Sequence, residues 1–332
     1  MGTLSQFKQK TKREAERMKY TIVVDSVAAL PEFVLVNRPI KVLPISVVIN
    51  DKAMPDSISE EGLIDIYQGS ELSIKSQVTT LPPSPEQIRD FIINEVAPYS
   101  DYAICQSLSR VASPIFDNFA SVSHQISKDA KEARGKLGIE HPFRMTSLNS
   151  GTTLAGQGLI AIYADMLLSK GAELNEYSLT IEKFTKAVRT YAIVRDILYS
   201  RKRAIEKGVE TIGFAPALLG KTFGVTPIVE ICNDQTVPVQ SKRGFDAAFE
   251  SIIRYAIDRI VEGLFIPVVN ISYAGDLNDI KNLPIMDELE ATAKKHKVKL
   301  CFGVMGLGSS TVYGPGGFSI GIAPKNQKDK PS

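Results

Sequence analysis

From Tyr20 onward, short β-branched apolar runs alternate with longer stretches whose apolar positions recur at helical spacing. Residues 20–24 predict a strand, Asp25-Ser26 a turn into a helix over 31–36, and residues 40–49 the next apolar run. Residues 76–80 predict a third strand, after which Leu81-Pro82-Pro83 turns the chain. Ser84-Pro85-Glu86-Gln87 then combines a serine N-cap, proline at the first helical position and glutamine at the third, so a helix starts at Pro85. Residues 101–108 predict another strand, and Ser113-Pro114 opens a helix carrying Phe116, Phe119, Val122 and Ile126. Residues 143–148 and 152–170 repeat the scheme. Repeated strand, loop and helix units predict an α/β fold with a mostly parallel sheet flanked by helices. In such sheets ligands gather at the carboxyl ends of strands, which directs attention to Asp25-Ser26, Thr79-Thr80, residues 109–113 and Asn149-Ser150.

The second half follows a different grammar. A helix over 178–190 leads to a strand at 191–194 and the basic triplet Arg201-Lys202-Arg203. Residues 227–232 and 236–240 flank Asn233-Asp234-Gln235, a hairpin signal that implies antiparallel pairing. Phe245, Phe249, Ile252, Ile253, Ala256, Ile257 and Ile260 form one helical apolar stripe, read as core. With strands at 265–271 and 297–304, this half predicts a second, α+β domain with antiparallel strands. The expected organisation is a charged extension at 1–19, an α/β domain at 20–172 and an α+β domain at 173–332.

Composition narrows the functions open to this fold. Of 332 residues 44% are apolar and 23% charged, which fits a globular chain. Lysine and arginine total 39 against 37 acidic residues, leaving a net charge of +2 and no broad basic surface for nucleic acid. No apolar run approaches the roughly 20 residues that span a bilayer, so the chain is expected not to be integral to a membrane. Residues 1–19 lack the apolar centre of a secretory signal, and a cytoplasmic location is expected. Cys105, Cys232 and Cys301 lie in separate apolar runs without metal-ligand spacing and are read as reduced and buried.

Catalytic chemistry finds few candidates. Phosphate loops and HExxH are missing from the sequence. Gly306-Leu307-Gly308-Ser309-Ser310-Thr311 begins like a dinucleotide fingerprint, but Thr311 takes the third glycine's place and no helix is expected after it, so no cofactor is assigned. His124, His141 and His296 fall away from the strand-end loops, which carry hydroxyls instead: Ser26, Thr79, Thr80, Ser109, Ser113 and Ser150.

Several motifs in order resemble those of the DegV family. They are Val23-Val24-Asp25-Ser26 with Leu30-Pro31, Val78-Thr79-Thr80-Leu81-Pro82 with Ser84-Pro85-Glu86, and Ser107-Leu108-Ser109-Arg110-Val111. Ser150 with Gly156 and Gly158, Ala217-Leu218-Leu219-Gly220 with Thr226-Pro227-Ile228, and Gly314-Pro315-Gly316 with Gly321 extend the match. The resemblance implies two domains enclosing a long-chain fatty acid or related lipid, without catalysis by the chain itself. It also implies presentation of the head group to a separate ATP-binding fatty-acid kinase subunit. A divergent binder of another apolar ligand, such as an acyl ester or isoprenoid, and a stand-alone enzyme are the alternatives. The implied lipid-binding residues are Thr79, Thr80, Ser109, Ser113, Ser310, Thr311 and Arg203. Two departures bear on the head group: Ala112-Ser113 stands where the family has Ser-Gly, and Val312 where it has histidine.

Overall fold

The structure is a computed structural model that describes residues 19–206, 224–327 and 329–331. Most of the extension at 1–19 and the motif Ala217-Leu218-Leu219-Gly220 lie outside the described residues.

The first domain is built on a four-stranded parallel sheet in the order β2-β1-β6-β7, formed by β1 (Tyr20–Asp25), β2 (Ile40–Leu43), β6 (Tyr102–Ser107) and β7 (Arg144–Asn149). Helix α1 (Glu32–Asn37) crosses from β1 to β2. Helix α3 (Pro85–Phe91) carries the expected capping box in full, with Gln87 N donating to Ser84 Oγ at 3.3 Å and Ser84 N to Gln87 Oε1 at 2.9 Å. Helix α4 (Ile115–Gly135) buries Phe119, Val122 and Ile126 on the stripe read from the sequence.

The run at 40–49 is not one strand. Pro44 interrupts it, having no N–H for a ladder, and the next amide, Ile45 N, donates to Ser26 Oγ at 3.1 Å. Beyond that point β3 (Ser46–Ile49) leaves the parallel sheet and joins a separate antiparallel sheet, order β4-β3-β5, with β4 (Lys52–Pro55) and β5 (Val78–Leu81). Asn50 and Asp51, with φ of 47° and 65°, make the tight turn between β3 and β4. The strand expected at 76–80 therefore pairs antiparallel, as β5, and not within the main sheet. Helix α2 (Glu60–Gln68) buries Leu63 and Tyr67 in the same core cluster as Val47 and Val78 of this small sheet, and Tyr67 Oη donates to Met305 O.

The second domain holds a six-stranded sheet in the order β10-β9-β8-β13-β11-β12. Its members are β8 (Arg189–Ile193), β9 (Val225–Cys232), β10 (Gln235–Arg243), β11 (Val268–Tyr273), β12 (Lys299–Val304) and β13 (Phe318–Ile322), antiparallel except for the β11/β12 pair. The expected hairpin is β9/β10, with Asn233 and Asp234 at φ of 51° and 60° forming a two-residue turn. Helix α8 (Phe245–Glu262) buries its stripe against this sheet with α10 (Pro284–Lys295). The short α9 (Asn278–Lys281) precedes α10.

Helix α5 (Leu154–Ser169) joins the domains. It is buried nearly all round, touching β1 on one side and β8, β11 and β13 on the other. Small residues permit this: a Cβ on Gly158 would come within 2.5 Å of Ala29 O and 2.6 Å of Asn270 Nδ2. Asn270 Nδ2 donates across the joint to Ala29 O at 2.6 Å and Ala155 O at 2.9 Å. Helix α6 (Leu174–Ala187) adds Tyr177, Ile181 and Phe184 to the core beside β1 and β2.

The basic triplet 201–203 sits in α7 (Ile197–Glu206), and a further helix, α11 (Leu307–Tyr313), follows Gly306. The sequence reading expected no helix there. Cys105 and Cys301 are buried and Cys232 half-buried, all as free thiols. No helix among the described residues is long and apolar enough to cross a membrane.

Candidate functional site: an apolar cleft between the domains

The carboxyl ends of β1, β6 and β7 converge on a cavity of about 650 Å³. Val27 follows β1, Leu108, Ser109, Ala112 and Ser113 follow β6, and Thr153 and Leu154 begin α5, together forming one wall. Opposite stand Ile231 at the end of β9, Asp234 in the hairpin turn, and Gly308, Ser309, Val312 and Tyr313 of α11. Ile45, Thr80 and Pro82 close a third side from the small antiparallel sheet. The volume falls within the roughly 300–1,000 Å³ usual for small-molecule sites, and the lining is mainly apolar.

A second hollow, of about 1060 Å³, lies among Lys19, Asp101, Arg134, His141 and Arg144, toward the opposite end of the parallel sheet. Its buried cation is already spent: Arg134 donates to the carbonyls of Ala97 and Ser100, to Asp101 Oδ1 at 2.7 Å and to His141 O at 3.1 Å. The interdomain cleft is the better candidate.

Three buried or half-buried carboxylates organise its walls. Asp25, with no exposure, accepts from Leu108 N at 2.7 Å, Gln157 Nε2 at 3.0 Å and Val27 N at 3.1 Å, so one side chain fixes the ends of β1 and β6 and the start of α5. Burial raises its pKa to about 6, against the pull of those hydrogen bonds. Asp56 accepts from Leu307 N at 2.8 Å and Gly308 N at 2.9 Å, capping α11 from across the domain boundary. Its pKa is also raised, by burial. A Cβ on Gly308 would clash with Ile45 Cδ1 and come within 3.0 Å of Asp56 Oδ2, so a larger residue there would push on both the cap and the cavity wall.

Asp234 is the third. Ser109 Oγ donates to its Oδ1 at 2.6 Å and Asn149 Nδ2 to its Oδ2 at 2.7 Å, while its own amide donates to Gly151 O at 2.8 Å. Asn149 is oriented by its other face, where Oδ1 accepts from Arg110 N and Gly151 N, each at 3.1 Å. The hairpin tip of the second domain is thus docked on the strand ends of the first. Leu154, at the first helical position of α5, holds φ at 56°, a conformation costly for a bulky side chain, while lining the cleft.

The residues implied by sequence resemblance divide. Thr80, Ser109 and Ser113 line the cavity. Thr79 does not; it is exposed, because neighbours in β5 point to opposite faces. Ser310 and Thr311 are buried behind the wall and donate to Leu307 O at 2.9 Å and Gly308 O at 2.8 Å. Their neighbour Ser309 faces the cavity instead, 4% exposed, and its Oγ is without a hydrogen-bond partner among the described residues. Arg203 lies outside the lining: it donates to Ser73 O at 2.9 Å, Ser76 O at 2.6 Å and Glu206 Oε2 at 2.6 Å, tying α7 to the loop before β5. None of the three histidines lines the cleft.

Asp56 and Asp234 were not singled out in the sequence, because an isolated aspartate in a turn has no local signature of a partner far along the chain. The N-terminus of α11 also settles the dinucleotide fingerprint differently than expected. The helix is present, but Asp56 occupies the amides that a pyrophosphate would need. Among the described residues no group of His, Cys, Asp and Glu is placed to hold a metal.

Residues 19–325 match the profile of the family described as "Uncharacterised protein, DegV family". The chain is 31% identical over 306 residues to a DegV domain-containing protein of Xanthomonas axonopodis pv. citri (strain 306), covering 92% of this chain and 98% of that one. The fold is similar to a DegV lipid binding protein from Thermotoga maritima, with a TM-score of 0.72 at 21% identity over 94% of this chain and all of that one. It is also similar to DegV, a fatty acid binding protein from Bacillus subtilis, with a TM-score of 0.71 at 21% identity over 93% of this chain and all of that one. The chain belongs to the DegV family.

Proposed function

We propose that this protein encloses one long acyl chain, a fatty acid or related lipid, in the cleft between its two domains. It presents the head group to a separate ATP-binding kinase subunit and carries out no catalysis itself. The observation that carries the reading is the mainly apolar cavity of about 650 Å³ walled by both domains. The structural neighbours from Thermotoga maritima and Bacillus subtilis, described as lipid binding and fatty acid binding, support it. Burying methylene groups contributes about 0.8 kcal/mol each, so a palmitoyl-length chain supplies on the order of 10 kcal/mol before the cost of association.

Thr80, Ser113 and Ser309 bring hydroxyls to the lining, enough to orient an oxygenated head group without holding a metal or nucleotide. The α11 amides are committed to Asp56, so this helix N-terminus offers no phosphate site. Val111 and Val237, 67% and 39% exposed at the cavity, give the mouth an apolar rim of the kind a partner covers.

The test is uptake of radiolabelled palmitate, and in parallel of radiolabelled hexadecanol, at saturating concentration by delipidated protein, followed through gel filtration. The reading expects close to one chain per molecule, abolished by Val312→Trp, which fills the cavity from a half-buried wall position. No retained label, or equal retention by the variant, contradicts it. The kinase step is tested separately: a purified ATP-binding fatty-acid kinase subunit is expected to form acyl phosphate only when this protein is present.

A further inference from the structure

A carboxylate in the wall of an acyl-binding cleft constrains which head groups fit. We propose that Asp234 makes the polar end of the cavity selective for a head group that donates a hydrogen bond. The hydroxyl of a long-chain alcohol, a monoacylglycerol or an un-ionised carboxylic acid meets that requirement; a carboxylate anion does not. This inference rests on the acyl-binding reading above and specifies its ligand.

Each oxygen of Asp234 accepts one hydrogen bond from the protein, Oδ1 from Ser109 and Oδ2 from Asn149. A carboxylate has about four acceptor sites, so both oxygens retain capacity and neither can donate. A ligand hydroxyl completes this arrangement. A ligand carboxylate brings like charge against it in an apolar cavity, where repulsion is poorly screened.

The groups packed on Asp234 do not offset that charge. Ser109, Asn149 and the Gly151 carbonyl are neutral, as are the neighbouring lining residues Gln235 and Thr236 of β10. Arg110, the cation on the facing loop, turns its guanidinium to Asp117 Oδ1 at 3.1 Å and over the Phe116 ring at 5.0 Å.

Ser309 is the second observation. Its buried Oγ has no protein partner among the described residues, and Ser309 lines the same cavity, so a rotamer change brings the hydroxyl to a ligand. A hydroxyl both donates and accepts, so it can bond the oxygen of a neutral head group without needing a charge.

The experiment uses displacement of the uncharged probe N-phenyl-1-naphthylamine from delipidated protein by 1-hexadecanol, 1-monopalmitoylglycerol and palmitate. At pH 8 the inference expects hexadecanol or monopalmitoylglycerol to compete at least tenfold better than palmitate. Neutral lipids are also intrinsically more apolar, so the decisive quantity is the change in Asp234→Asn, where the ratio is expected to fall at least fivefold because palmitate gains. Repeating the titration at pH 6 separates the sources. A palmitate gain with hexadecanol unchanged identifies the un-ionised acid, and no gain identifies an alcohol or glycerol ester.

Palmitate competing as well as hexadecanol at pH 8 overturns the inference, as does a ratio left unchanged by Asp234→Asn. Should Asp234→Asn not fold, the same fall in the ratio is read in Asp234→Ser, which likewise removes the charge. Failure of all three lipids to displace the probe sinks the acyl-binding reading itself, a result distinguishable from loss of selectivity.

Discussion

Ser109 Oγ lies 2.6 Å from Asp234 Oδ1, and this one hydrogen bond joins the end of β6 in the first domain to the hairpin turn of the second. Both residues line the same cavity, so one of the contacts that hold the domains together also shapes the site. Removing the donor leaves a half-buried carboxylate with Asn149 as its remaining side-chain partner. Ser109→Ala is expected to lower stability by about 1–2 kcal/mol in urea unfolding, since hydrogen bonds to charged groups carry that magnitude. Lipid retained through purification should fall with it. Unchanged stability and unchanged retention would mean that the hairpin is held by other contacts.

Asp25 gives a pH-dependent prediction. Its pKa is raised by burial from an ordinary 3.8 to about 6, so between those values the folded state binds the proton more readily than the unfolded state. Its contribution to stability is therefore greatest at low pH and declines as pH rises through the folded pKa. The loss amounts to roughly 3 kcal/mol across that window. Asp25→Asn cannot titrate, so the stability of the variant relative to wild type should improve between pH 4 and 6.5. Chemical unfolding of both proteins across this range is the check; a constant difference would remove the argument.

Gly158 tests the joint between the domains. A Cβ there would meet Ala29 O and Asn270 Nδ2 at 2.5 and 2.6 Å, and both are held in place by a hydrogen bond to one another. Gly158→Ala is expected to destabilise by about 1–3 kcal/mol despite alanine's better helix propensity, because overpacking outweighs it. An increase in melting temperature would show that α5 can move away from its two sheets.

Val312 occupies the place where the family resemblance leads one to expect histidine, and it lines the cavity. Val312→His adds a donor, and at pH 6 a partial positive charge, to the lining. Palmitate affinity at pH 6 should rise about tenfold, the order of one charge-assisted hydrogen bond, while hexadecanol changes little. Displacement titrations with both lipids would reveal the difference. Equal changes for the two would mean that the head group lies elsewhere.

These residues also show how far the sequence can be read. The capping box at Ser84–Gln87, the β9/β10 hairpin and the stripe of α8 were legible because each signal is local: a cap, a turn or a period of 3.6. The departure of β3 from the parallel sheet was not, since an apolar run does not say which neighbour it pairs with. Pro44 was the available sign. Within the site, Thr80, Ser109 and Ser113 were reached through strand ends. Thr79 and Thr80, or Ser309 and Ser310, differ only in which face of an element they occupy, and that is settled by tertiary packing. Arg203 illustrates the same limit, since its partners Ser73 and Ser76 lie far back along the chain. Asp56 and Asp234 needed the fold, because their meaning lies in amides and hydroxyls supplied by the other domain.

The most direct test of the central claim is native mass spectrometry of the protein as purified from a bacterial host, followed by identification of whatever lipid dissociates on denaturation. One acyl chain bound per molecule, released only when the fold is lost, is the predicted result. Protein that is empty as purified, and that stays empty after incubation with fatty acids, alcohols and monoacylglycerols, would contradict the account.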